Sequence, residues 1–317
     1  MKIAIPECFK KRTFLTNAGT ETYLCFQQGF DLPEFCGFVI HEDELEWKKL
    51  VQNYLTPTLK TAAEGGYGLM LDALVWRAQP DFLEKLGRTK KELEFINKRA
   101  VHITRETVKQ WRQSNNYDQE SFPVLIVADI GPRGDGYQVD ANPITTREAY
   151  TYHRAQLEAL ADAEIDIVCA LTMTTALESI GIVRATSDLK LPIIVSPTVE
   201  TDGTLPDGTF LGDFIQQVDK ATNSTPMFYM VNCAHPTHLV PILDKALENE
   251  EGWLSRFRGF RANASKKSHA ELDLSSELDR GNLEQLGEQM KHIQAKYNLY
   301  VIGGCCGTDH EHLACMI

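Results

Sequence analysis

Two short segments, far apart in the chain, carry side chains suited to holding a metal ion. One is VNCAHP, with Cys233, and the other is VIGGCCGTDHEHL, residues 301–313, with the adjacent pair Cys305 and Cys306. Neighbouring cysteines are poor disulfide partners, because the trans peptide between them does not allow relaxed bridge geometry. Two thiolates beside one soft cation make better chemical sense, and Zn2+ favours sulfur ligands in a tetrahedral arrangement. With Cys233 as third ligand one vertex stays open, the mark of a catalytic rather than a structural zinc. Gly303, Gly304 and Gly307 surround the pair, and without Cβ atoms they are expected to let the backbone turn so that both sulfurs face the ion. The isolated Cys8, Cys25, Cys36, Cys169 and Cys315 read instead as small apolar fillers. Four histidines compete as ligands: His235 and His238 after Cys233, His310 and His312 after the doublet. His310 and His312 read as the exposed first turn of a last helix capped by Thr308 or Asp309, and His235 as a loop residue supporting the ligands from behind.

Thiols so distant in sequence need a framework that returns them to one place. Apolar runs bounded by turn signals predict strands at 13–19, 67–73, 123–131, 166–172, 192–198, 226–233, 257–264 and 299–306. Helix-periodic polar segments lie between them, among them 145–164, with a capping-box spacing from Thr145 to Glu148, and 281–298. The region 80–114 is longer than one helix needs and is expected to hold an extra one. Several strands are continuously apolar, as in a parallel sheet covered on both faces. Eight such units match a single (β/α)8 barrel of the TIM type spanning residues 1–317. The competing open doubly wound sheet lacks the G-x-G-x-x-G expected after its first strand. In a barrel, the ends of the sixth and eighth strands share one rim, so Cys233 can meet the doublet there.

Composition narrows the partners. A net charge of −12 offers no broad basic surface for nucleic acid or anionic lipid, which leaves small molecules. No apolar run reaches the ~18 residues of a membrane span, and MKIAIPECFKKRTF does not read as a signal peptide, so a cytoplasmic location is expected. Eight cysteines over 317 residues are not a secreted disulfide framework. The short final helix leaves room for completion by a second copy, and a homo-oligomer is an open expectation.

MVNCAHP followed by VIGGCCGTDHEH resembles the paired zinc motifs of the homocysteine S-methyltransferase family. The resemblance extends through LTNAGTETYLCFQQGFDLPEF, SPTVETDGTLPDG and RANAS, nearly the whole chain. It implies a (β/α)8 barrel in which Cys233, Cys305 and Cys306 bind zinc and homocysteine sulfur fills the open vertex. Ionised there, the thiol would attack the methyl carbon of a sulfonium or quaternary ammonium donor. The chain departs from the family pattern at two positions that hold the homocysteine ammonium. It has Asn17-Ala18 where Asp-Gly is usual, and Leu171-Thr172 where Glu-Thr is usual. Glu21, Asp129 and Glu200 are candidate replacements. Thr172, Asn232 beside the first ligand, Asn263 in RANAS and Asn17 itself complete the expected substrate contacts, with Trp76 and Arg77 at the mouth.

Three functions remain open on the sequence. The first is zinc-dependent methyl transfer to homocysteine or another thiol, from S-methylmethionine, S-adenosylmethionine or a betaine-like donor. The second is hydrolysis by zinc-activated water, which three thiolates disfavour by weakening the Lewis acid. The third is a non-catalytic zinc- or thiol-binding homologue, motivated by Asn17 and Leu171.

Overall fold

A computed structural model describes residues 7–139 and 141–317; the first residues of the stretch read for a leader lie outside these. Eight parallel strands close into a barrel in sequence order, and the last pairs with the first. They are β1 (Phe14–Thr16), β2 (Gly68–Asp72), β3 (Val124–Ile130), β4 (Ile167–Met173), β5 (Ile193–Pro197), β6 (Tyr229–Ala234), β7 (Phe257–Ala262) and β8 (Val301–Gly304). Each expected strand is present, most of them trimmed. The trimming at the ends of β1 and β8 has a local cause. Asn17 keeps one main-chain bond, to the Met70 carbonyl, and spends its side chain on the Asp72 amide and the Thr20 hydroxyl, and β8 stops at Gly304 before the cysteine pair.

One main helix follows each strand: α1 (Thr56–Glu64), α2 (Lys90–Asn115), α3 (Thr146–Asp162), α4 (Ala176–Asp188), α5 (Leu211–Thr222), α6 (Pro236–Glu248), α7 (Leu283–Tyr297) and α8 (His310–Cys315). Thr145 and Glu148 close the expected capping box on α3, and Thr89 with Glu92 makes another on α2. The long 80–114 region divides into a short helix, Pro80–Lys85, and α2. Inside the barrel Phe14, Met70, Val127, Cys169, Ile194, Met230 and Val301 pack as a closed apolar plug, while a larger apolar layer joins strands to helices. Such a plug leaves chemistry only at the rim above it, where the C-terminal ends of the strands carry their polar residues.

Among the described residues no helix is long and apolar enough to cross a membrane.

Candidate metal and substrate site

Cys233 lies near the end of β6 and the Cys305–Cys306 pair directly follows β8. Their three sulfurs lie within 4.8 Å of one another. What aims Cys233 is a break in the ladder. The pairing of β6 with β7 shifts register between Asn232 and Ala234, and Cys233 between them has φ 58°, in the left-handed region. A bulge of this kind re-aims one side chain at the end of a strand. A matching break occurs in β4, where Thr172 has φ 59° between Leu171 and Met173. Asn232 ties the two breaks together. Its Oδ1 accepts from the Thr172 amide and the Ser196 hydroxyl, each at 2.8 Å, and its Nδ2 donates to the Thr172 hydroxyl at 2.8 Å.

The doublet is bolted to its neighbours through its backbone. The Cys305 amide donates to the Ala262 carbonyl, the Cys306 carbonyl accepts from the Ala264 amide, and the Cys305 carbonyl accepts from the Thr308 hydroxyl. The surrounding glycines divide their labour differently from the expectation of a common turn. Only Gly307 has positive φ, at 78°. Gly303 and Gly304 stay in the strand, where a Cβ would collide with the hydroxyls of Thr16 and Thr308, so they serve close approach of β8 to β1 and to its own loop.

Hydrogen bonds to sulfur complete the centre. The Asn263 and Asn232 amides reach Cys233 Sγ at 3.6 Å and Cys305 Sγ at 3.9 Å, and the Tyr137 hydroxyl lies 2.9 Å from Cys233 Sγ and 3.5 Å from Cys306 Sγ. Hydrogen bonds from the Cys305 and Cys306 thiols hold Cys233 well below the ordinary thiol range, while contact with Cys233 pushes Cys306 well above it. Three such close thiols ionise unequally, because a second negative sulfur beside the first is unfavourable without a cation.

The sulfurs open into a cavity of ≈ 430 Å³ that also takes in Glu21, Asp72, Trp76, Arg77, Asp129, Leu171 and Thr172. Three carboxylates face one buried guanidinium there. Arg261, on β7, reaches Asp72 Oδ2 at the end of β2 at 2.7 Å, which leaves Asp72 Oδ1 buried without a hydrogen-bond partner. Burial, and after it the charges of Asp72 and Glu21, raises the Asp129 carboxyl well above its ordinary range. Glu21 is lifted to about 7, chiefly by burial and then by Asp72.

Other expected residues are placed elsewhere. Asn17 is buried and committed to main-chain and Thr20 contacts. Glu200 does not line the cavity; it bonds His269 at 2.9 Å beside a separate shallow hollow. His235 caps α6, accepting from the Thr237 amide rather than supporting a sulfur. Asp309 caps α8 as expected, but His312 is fully buried, held by Asp309 and the Arg280 carbonyl, because the capping box folds it back onto the helix start.

Tyr137, Asp72, Arg261 and His269 escaped the reading of the sequence. Asp72 and Arg261 were within reach of the rule that picked out Asp129, since each is a charge near the end of an apolar strand. Tyr137 and His269 sit on loops, where no periodicity marks them.

A parallel eight-strand barrel with a rim cluster of three cysteines defines a class of barrel whose thiols could hold a metal ion, and comparison with known proteins narrows it. The model of the homocysteine S-methyltransferase family matches residues 70–316, and the chain belongs to that family of methyltransferases. Among solved structures it is similar to the homocysteine methyltransferase MmuM from Escherichia coli. The metallated form matches at TM-score 0.71 and 17% identity, covering 98% of both chains. The oxidized form gives 0.69 and 18%, covering 96% of this chain and 94% of that one.

Proposed function

We propose that this methyltransferase moves a methyl group from a sulfonium or quaternary ammonium donor to homocysteine, giving methionine, with Zn2+ held by Cys233, Cys305 and Cys306. The convergence of three sulfurs within 4.8 Å on an open cavity carries this reading. The donor set fits the ion, being all sulfur and supported by amide donors rather than by competing carboxylates. When bound, zinc supplies a vertex at which a thiol ionises near neutral pH, with three anionic ligands that leave it too weak a Lewis acid to favour hydrolysis.

The chain's own residues position both substrates. Tyr137 touches two of the sulfurs, so an incoming acceptor competes with its hydroxyl. Glu21 and Asp129 receive the acceptor ammonium, together with the free oxygen of Asp72, in place of the acids missing at Asn17 and Leu171. Crowded carboxyls raised by burial regain their charge when a cation joins them, which favours an ammonium in that position. Thr172 offers a hydroxyl to the polar end of the acceptor. Asn232 and Asn263 steady the sulfurs, and Asn17 acts indirectly by fixing the Asp72 main chain. The donor approaches past Trp76 and Tyr137, which line the cavity with one ring face already covered, by Arg77 and His269 respectively. As the acceptor S–C bond forms, the donor's bond to the methyl breaks and the donor leaves as a neutral sulfide or amine. S-methylmethionine is the favoured donor, ahead of S-adenosylmethionine and betaine. Free thiols of this kind call for a reducing compartment, and we infer the cytoplasm.

The test is zinc content, followed by methionine formation when homocysteine is offered with each of the three donors. Methionine from at least one donor, lost in Cys306→Ala, is expected. Bound zinc without product from any donor would overturn methyl transfer to homocysteine. Methylation of a different thiol is the second reading, favoured by Asn17 and Leu171, and a screen of other small thiols as acceptors decides it.

A further inference from the structure

Cys233 holds a left-handed conformation that residues other than glycine seldom adopt, and something must maintain it. Its carbonyl accepts a hydrogen bond from His269 Nε2 at 2.9 Å, and the other ring nitrogen, Nδ1, lies 2.9 Å from Glu200 Oε1. Thr198, just past β5, adds its hydroxyl at 3.3 Å from Nε2. The same imidazole stacks on Tyr137, with ring centroids 4.2 Å apart and planes 16° from parallel. One buried ring therefore touches the main chain of one proposed ligand residue and the side chain whose hydroxyl meets two of the sulfurs. Its own place is set by the capping box of Ser268 and Glu271 at the start of the short helix His269–Asp273. Glu200 is fixed in turn by a tight loop, its amide donating to the Thr204 carbonyl and its carbonyl accepting from Gly203. Loops after β3, β5 and β7 meet on this ring, against the end of β6.

We propose that Glu200 and His269 form a positioning pair for the metal centre, with the imidazole holding Cys233 in its left-handed conformation and Tyr137 against the sulfurs. Neither residue lines the substrate cavity, and among the described residues neither hydrogen-bonds a sulfur. The pair acts through the ligand residue, as outer hydrogen-bond partners of metal ligands do. The inference rests on the metal reading above and goes beyond it by giving Glu200 a supporting role outside the substrate cavity.

Zinc affinity, measured by competition with a chromophoric chelator, and the absorption spectrum of the Co2+-loaded protein test it without turnover. His269→Ala is expected to lose affinity by about 10- to 100-fold and to shift the cobalt bands, with Glu200→Gln showing a smaller loss. His269→Gln keeps an N–H able to reach the Cys233 carbonyl and should recover part of the affinity, a rescue that a merely structural role would not give. If His269→Ala binds zinc within twofold of wild type and leaves the cobalt spectrum unchanged, the pair has no such role. Should that variant fail to fold, Glu200→Gln decides on the same two measurements. Wild-type protein that takes up neither zinc nor cobalt would overturn the metal reading itself, an outcome distinct from normal uptake that is indifferent to His269.

Discussion

Glu21 lines the cavity, and the role proposed for it sets two opposing demands: holding an ammonium calls for a charge that burial and Asp72 disfavour. Its carboxyl is lifted from 4.5 to about 7. Between those values the folded protein keeps a proton that the unfolded chain has released, so stability falls as pH rises through the window and the loss is complete above it. Glu21→Gln is neutral throughout and escapes the loss. In the absence of metal and acceptor, the melting temperature of this variant should match wild type near about pH 4, exceed it increasingly up to about pH 7, and hold a nearly constant lead above that. A gap that is constant across the whole range would contradict the assignment. The functional counterpart has the opposite sense: the KM for homocysteine should rise as pH falls below about 7, and the variant should show a high KM with little pH dependence. At this scale the sequence revealed the thiols and Asp129, because strand ends in a barrel point to one rim. It concealed Tyr137, since the distance from a loop tyrosine to a sulfur is not a property of local pattern. It also allowed Glu200 to be read as a substrate contact, because nothing in ETDGT announces a histidine many residues away.

The strands and helices were legible where apolar period and capping residues agree, as on α3, and where an apolar run is continuous, as in β4. What the pattern does not encode is the pair of left-handed residues inside β4 and β6, because Thr172 and Cys233 are ordinary strand residues by propensity. The Thr172 conformation is held by Asn232, which satisfies the Thr172 amide, the Thr172 hydroxyl and the Ser196 hydroxyl, while Cys233 follows Asn232 directly and has its carbonyl bound by His269. Asn232→Ala leaves these buried groups without partners and should destabilise the protein by about 2–3 kcal/mol, measured by urea unfolding of the metal-free form. Because the freed segment includes Cys233, zinc affinity should fall as well. Replacement by Asp keeps the acceptor for the Thr172 amide and the Ser196 hydroxyl but loses the donor, and should fall between wild type and alanine. Full stability in the alanine variant would mean that the bulges are held by the barrel itself.

Across the whole molecule, the barrel mouth is spanned by one ion pair. Arg261 leaves β7 and meets Asp72 on β2, with β8 and β1 between them, and both side chains are 6% exposed. Burial alone would work against the guanidinium charge, but Asp72 more than offsets it and keeps the group ionised. A pair of this kind contributes little net stability, yet removing one member strands the other charge away from water. Arg261→Met leaves the Asp72 carboxylate beside Asp129 and Glu21 without its paired cation, and should cost about 3–5 kcal/mol at neutral pH. Asp72→Asn leaves the guanidinium with its Gly304 carbonyl contact and two neighbouring carboxyls, so its cost should be smaller. The double variant should recover much of the loss of Arg261→Met, which urea unfolding of all four proteins in a double-mutant cycle measures directly. Strict additivity of the two single costs would mean that the charges do not sense each other across the mouth. The cycle also separates two roles for the acidic rim: if Arg261→Met folds with a lowered KM for homocysteine, the arginine normally competes with the substrate ammonium for the same carboxylates.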